Sequence, residues 1–478
     1  MRRAVVIGAG LGGVLAAAAL APHVDEVVVV ERDELPDGPE HRKGVPQGRH
    51  AHLLMPGGLA AMDDLVPGVD MRAHLLAAGA RAVSLSSGMV VLTPEGWFRR
   101  WRHDSHHMIT CSRALLEWSV RTAITRSTGN IEIRRAQALE LTGTARRVDG
   151  LRLESAAGPT ELAADLVVDT SGRGSRVTRW LNSLAVTGLR ERTIDSGLVN
   201  ATRIYRVPPG AEDFPLTMVQ ANPYEGRPGR SAVIVPIEDG RWMVSLAGSR
   251  GAEPPSDPEG FLRYIRDLPH PIVGQLVSRA TALTDVAVSR STSNSRRYLE
   301  KARDWPEGLV VLGDALATFN PAYGQGMSVA ALSARTLSRH LRRSDVRTPG
   351  LARAVQRAAA THVEAAWNLA VSQDVLYPGV RGGAPTAVDR LAARYTRRVM
   401  KAATGSYPVA SALFDVTGLR AGPSRLLRPS TLVTALSGPP LPPLSAPPLT
   451  ARERRLLDSF GSASDKSASD GRGPAGPA

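Results

Sequence analysis

Two glycine-rich stretches about 300 residues apart hold the residue types from which a cofactor site is made: "VVIGAGLGG" at 5–13 and "GDALATFNPAYGQGM" at 313–327. In the first, Gly8, Gly10 and Gly13 follow a short apolar run and open an alanine-rich one, and Glu31 closes the next apolar run, 23 residues after Gly8. That spacing suits a dinucleotide. The first glycine makes the tight turn, the second lets backbone approach a pyrophosphate, the third lets helix and strand pack, and the acid accepts ribose hydroxyls. In the second stretch Asp314 follows an apolar run, where a carboxylate can accept hydrogen bonds from a polyol. Pro321, Gly324, Gly326 and Met327 then open a helix whose N–H groups suit a partly anionic acceptor. A nicotinamide dinucleotide has two riboses and no polyol. FAD has a ribityl chain and a ring that takes up negative charge on reduction, so one loop suits its ADP half and the other its flavin half.

These residues need a scaffold, and the patterning supplies one. "AVVIG" reads as a buried strand, "VLAAAALA" as a helix and "EVVVVERD" as the next strand, a βαβ start. Residues 81–101 read as a hairpin, 111–124 as a helix, and 164–175 as a buried strand running into a Gly/Ser turn. Between 190 and 290 longer alternating strands predict a mostly antiparallel sheet, after which "GLVVLGDA" returns as a buried strand. The fold class expected is α/β: a Rossmann-like, glutathione-reductase-type FAD-binding domain (1–80, 101–185 and 286–345) interleaved with a mostly antiparallel β-sheet substrate domain (81–100 and 186–285). A C-terminal helical region with a proline-rich strap (346–455) and a disordered tail (456–478) follow.

Composition narrows the function classes. The 478 residues are 43% apolar and 22% charged, ordinary for a folded protein, and no apolar run approaches the ~20 residues of a membrane span. A single cysteine, Cys111, excludes an internal disulfide and a cysteine zinc site, and fits a cytoplasmic setting. The net charge of +14 is scattered rather than gathered, and 4% aromatic residues argue against a nucleic-acid partner. His103, His106 and His107 lack the carboxylate or cysteine company of a metal site, and no metal is expected. His50 and His52 alternate: one of them can face a flavin crevice, and a satisfied structural histidine is the equal alternative. Ser112 and Ser171 lack the elbow and the ordered partners of a hydrolase triad.

Taken together, Gly8, Gly10, Gly13, the Glu31-Arg32 pair, "SRALL" with Arg113, "ADLVVDTSGRGS" and "GDALATFNPAYGQGM" resemble the para-hydroxybenzoate hydroxylase-type FAD-dependent monooxygenases, relatives of squalene epoxidase. By that resemblance Glu31 binds the adenosine ribose, Arg113 lies beside the pyrophosphate and ribityl, Asp314 binds ribityl hydroxyls, and Gly324 to Met327 line the flavin, with Arg32 and Arg42 near the ADP moiety. More narrowly, "RKGVPQGRHAHLL", "CSRALLEWSVR", "LVNATRIYR" and "VPIEDGRW" resemble the flavin-dependent epoxidases of polyether ionophore biosynthesis. That resemblance implies oxygen transfer from a flavin C4a-hydroperoxide to alkenes of a linear polyene polyketide, with FAD and O2 and with NAD(P)H or a separate flavin reductase as the reductant.

Two departures stand out: Ser171-Gly172 where many hydroxylases have Asp-Gly, and Ala317 where many have His. The first leaves the reductant open. Hydroxylation of an aromatic or other secondary metabolite is the alternative activity, and a non-oxygenating flavoprotein reductase or flavin-binding protein a third. The basic charge suits docking of an acidic acyl carrier protein bearing the substrate.

Overall fold

The protein is described by a computed structural model covering residues 1–290 and 292–469. Its first layer is a parallel sheet with strand order Leu309–Val311, Leu166–Asp169, Arg3–Ile7, Glu26–Glu31, Ile131–Arg135. The three inner strands are nearly continuous runs of buried Val and Ile, as a sheet covered on both faces requires. Helix Leu11–Leu20, almost wholly buried, packs between this sheet and helix Gly326–Leu341. Its small residues permit that contact: a Cβ on Gly12 would lie 3.6 Å from the Cβ of Ala330. One on Gly313 would lie 3.7 Å from the same atom, so both glycine-rich loops converge on one helix.

The second layer is an eight-stranded, mostly antiparallel sheet. Strands Val199–Arg206, Arg241–Gly248, Arg230–Ile237, Leu216–Val219 and Met89–Thr93 are neighbours in that order, the last pair parallel. Ala201, Ile234, Trp242, Val244 and Leu246 point to one face and form a core with Phe261 and Ile265 of helix Pro258–Arg266 and Ile272 and Leu276 of helix Ile272–Val277. The opposite face looks toward the cofactor domain and the C-terminal helices Leu351–Asp374, Ala387–Gly405 and Tyr407–Thr417.

Two segments differ from the sequence reading. Residues 81–101 are not one hairpin: Arg81–Ser84 pairs with His107–Thr110 in a small separate sheet, while Met89–Thr93 joins the large one. Residues 456–469, read as disordered, belong to helix Ala451–Ser469, where Leu457 and Phe460 are buried against the large sheet's core. Two apolar anchors outweigh a Ser/Ala/Asp-rich composition. Residues 470–478 lie outside the described ones. Among the described residues no helix is long and apolar enough to cross a membrane.

Candidate cofactor and substrate site

The first loop has the geometry a dinucleotide needs. Gly8 has φ +95°, and a Cβ on Gly13 would meet the Gly8 carbonyl oxygen at 1.8 Å, so strand end and helix start touch backbone to backbone. Gly10 caps the helix with no side-chain hydrogen bond, which leaves its first N–H groups for a ligand. Glu31 is buried and accepts from Ala9 N at 2.8 Å and from Arg42 Nη1 at 3.0 Å.

Arg42 is one link of a buried chain of charges. Its Nε donates to Glu117 Oε2 at 3.2 Å, and Arg113 donates to Glu117 Oε1 through Nε (2.8 Å) and Nη2 (2.7 Å). The side chains of Arg42, Glu117 and Arg113 are only 8–12% exposed. Burial alone would raise the Glu117 carboxyl's pKa, but Arg113 and Arg42 outweigh it and hold it below the usual range. Arg32 is placed apart from this chain, 67% exposed and 3.7 Å from Asp33.

The second loop lies across the sheet. Asp314 follows strand Leu309–Val311, and among the described residues its carboxylate makes no hydrogen bond. Burial pushes its pKa up, against the pull of Arg113 and Arg173. Pro321 opens a short 3-10 turn, Gly324 takes φ +64°, and Gly326 and Met327 begin helix Gly326–Leu341, whose N-terminus has no side-chain cap. Behind the loop, buried Asp374 accepts from Asn320 Nδ2 (2.9 Å), Asn294 Nδ2 (2.7 Å) and the Tyr323 hydroxyl (2.8 Å).

Beyond this loop opens a cavity of about 380 Å³. Met89, Val91, Leu216, Met218, Val233 and Val235 from the large sheet form one wall, with Met400, Leu413 and Phe414 of the C-terminal helices opposite and Asn320–Gln325 on the cofactor side. Five of the chain's ten methionines line it, an adaptable apolar surface. Among the described residues no Lys or Arg lines this cavity, and its two carboxylates are engaged: Glu95 by Arg397 Nε at 2.7 Å, Asp374 as above. His50, at the edge, is buried with Nδ1 2.9 Å from Thr202 Oγ1, and burial pushes its pKa down to about 4.

An open helix N-terminus beside a glycine cradle, an unpartnered Asp314 carboxylate across the sheet and a second uncapped helix before an apolar chamber fit FAD along its whole length. The fold and site define an FAD-binding oxidoreductase architecture, a nucleotide domain with a separate, mostly antiparallel sheet. The chain belongs to the FAD binding domain family, whose profile matches residues 2–344. It is 32% identical to Protein Rv3254 of Mycobacterium tuberculosis (strain ATCC 25618 / H37Rv) over 388 residues, 78% of this chain and 80% of that one. To kynurenine 3-monooxygenase of Salinispora arenicola (strain CNS-205) it is 27% identical over 352 residues, 69% and 70% of the two chains. Among solved structures the flavin-dependent brominase Bmp2 superposes with a TM-score of 0.62 at 14% identity, over 91% of this chain and 98% of that one.

Some of the site escaped the sequence reading. Glu117 had a signal, since Arg113 and Glu117 stand at i,i+4 on one helix, but such pairs are commonly solvent-exposed. Asp374 and Asn320 had none, because their meeting depends on how helix Leu351–Asp374 docks.

Proposed function

We propose that this chain is an FAD-dependent monooxygenase that epoxidises alkenes of a linear, uncharged polyene of the polyketide type. The observation that carries the reading is the apolar cavity without a cation. A substrate with the carboxylate of kynurenine would lie there unpaired, at a cost of several kcal/mol, whereas a polyene needs only apolar walls. An alkene is itself a nucleophile toward an electrophilic oxygen, so no side chain has to deprotonate it. A phenol is helped by a base. His50, with its pKa lowered to about 4, is a weak base at neutral pH.

FAD supplies the two-electron chemistry and the activation of O2. The chain's own groups hold and orient. The N–H groups at Gly10–Gly12 and the Glu31–Arg42–Glu117–Arg113 chain serve the ADP half, Asp314 the ribityl hydroxyls, and the N-terminus of helix Gly326–Leu341 the ring's electron-rich edge. The methionine and leucine walls exclude water and leave room for a flexible chain to shift between turnovers. NAD(P)H or a separate flavin reductase provides electrons, and the +14 charge supports delivery of the polyene on an acidic acyl carrier protein.

The test is mass spectrometry of products formed under isotopically heavy oxygen by FAD-loaded protein, with NADPH or a flavin reductase, from linear polyenes and phenols. Heavy oxygen at alkenes supports the reading. Incorporation only into phenols replaces it with aromatic hydroxylation, and hydrogen addition without oxygen replaces it with a reductase.

A further inference from the structure

The cavity is not uniformly apolar: Gln220, Ser231, Asn320, Gln325 and Gln373 are part of its lining, and strand Val199–Arg206 adds a polar point of its own. Asn200 and Thr202 are alternate residues of Val199–Arg206 and share a face, while Ala201 between them points into the core on the other side. Thr202 is occupied: its Oγ1 meets His50 Nδ1 at 2.9 Å and Ser245 Oγ at 2.5 Å. Asn200 is not. It lines the cavity at 7% exposure, and among the described residues its side-chain amide makes no hydrogen bond. His50 is in the same position on its other ring nitrogen: Nδ1 is engaged, the residue is 5% exposed and lines the cavity, and among the described residues Nε2 makes no hydrogen bond. Both groups reach the cavity space, where water or a ligand's oxygen can complete them.

We propose that Asn200, with His50 Nε2, is the polar binding point that recognises a hydroxyl or carbonyl oxygen on an otherwise apolar, uncharged substrate, and so fixes which part of the chain faces the cofactor. The chemistry selects that class. An amide offers one donor group and one acceptor and no charge, which matches a neutral oxygen function. A neutral imidazole adds one more donor or acceptor. A carboxylate would find no cation in this cavity. On the sheet the polar residues Asn200, Thr202 and Ser245 lie on neighbouring strands, Thr202 opposite Ser245, while Met89, Val91, Leu216, Met218, Val233 and Val235 supply apolar wall farther along the sheet, with Gln220 and Ser231 beside them. A substrate held here has one oxygenated point and a long apolar remainder. This deepens the proposed function and rests on its assignment of the cavity as the substrate site.

The experiment is equilibrium dialysis of the FAD-loaded protein with farnesol and with its deoxy analogue 2,6,10-trimethyldodeca-2,6,10-triene, two trienes that differ by one hydroxyl. Wild-type protein is expected to bind farnesol about ten-fold more tightly, and Asn200→Leu to bring the ratio to about one, with FAD content and Tm measured to establish folding. Should that variant not fold, His50→Phe reads the same ratio and is expected to lower it. Equal binding of the two trienes by wild-type protein, no binding of farnesol, or an unchanged ratio in both variants overturns the inference. Oxygen incorporation is scored separately. Asn200-dependent binding without heavy oxygen in the product removes the epoxidase reading and leaves the binding point standing. Epoxidation with no preference for farnesol does the reverse.

Discussion

The Tyr323 hydroxyl donates to Asp374 at 2.8 Å, which ties the loop on the cofactor side of the cavity to the last turn of helix Leu351–Asp374. The carboxylate is buried and also accepts from Asn294 and Asn320, so removing it strands several donors at once. Asp374→Ala is expected to destabilise the protein by about 3 kcal/mol, read as a lower Tm. Tyr323→Phe removes one donor and is expected to cost about 1 kcal/mol.

Glu117 clamps two arginines, and its loss leaves buried Arg113 without its carboxylate partner and Arg42 with Glu31 in place of two carboxylates. Glu117→Gln keeps the shape and removes the charge. FAD affinity measured by fluorescence is expected to fall roughly 10- to 100-fold, as for loss of charge-assisted hydrogen bonds of about 1.5–3 kcal/mol. Arg32→Ala, an exposed position, is expected to change it less than three-fold.

At Asp314, cofactor affinity and apo-protein stability are expected to move in opposite directions. Its pKa is raised by burial, so ionisation at neutral pH disfavours the apo fold. Asp314→Asn is expected to raise the Tm of the apo protein and weaken FAD binding at least ten-fold. Both are measured on the same preparation before and after FAD addition.

His50 gives a pH signature. Its pKa falls from 6.5 to about 4 on folding, so the unfolded chain binds its proton first as pH drops. Its contribution is intact above pH 6.5 and is lost as pH falls toward 4, a change of roughly 3 kcal/mol from this one group. Denaturant titrations at pH 7 and pH 4.5 are expected to show a smaller acid loss for His50→Gln than for wild type.

The cofactor half of the molecule was legible in the sequence because its constraints act on the backbone. Gly8 is fixed by a positive φ and Gly13 by a carbonyl 1.8 Å from where its Cβ would be, and both leave glycine as the mark. Asp314 was legible as an acid at the end of a buried strand. The substrate half was less so. Strand alternation predicts that Asn200 and Ala201 face opposite ways, but not which face meets a cavity and which meets helix Pro258–Arg266. The 81–101 segment was misread because alternation cannot say whether consecutive strands pair with each other or with different sheets. The helix through Ser469 was missed because the two residues that anchor it, Leu457 and Phe460, act through distant partners.

The strand order has a consequence for how the chain is made. The parallel sheet is begun by Arg3–Ile7 but closed at its far edge by Leu309–Val311, and the helix that both glycine loops touch ends only at Leu341. At roughly 5–20 residues per second the ribosome delivers the whole intervening antiparallel sheet before that edge strand exists. The nascent chain therefore has its substrate wall in hand while its nucleotide half is still open along one side. FAD capture is expected to wait for that edge, and truncated products that end before Leu309 should accumulate as flavin-free chains with an unpaired, aggregation-prone edge.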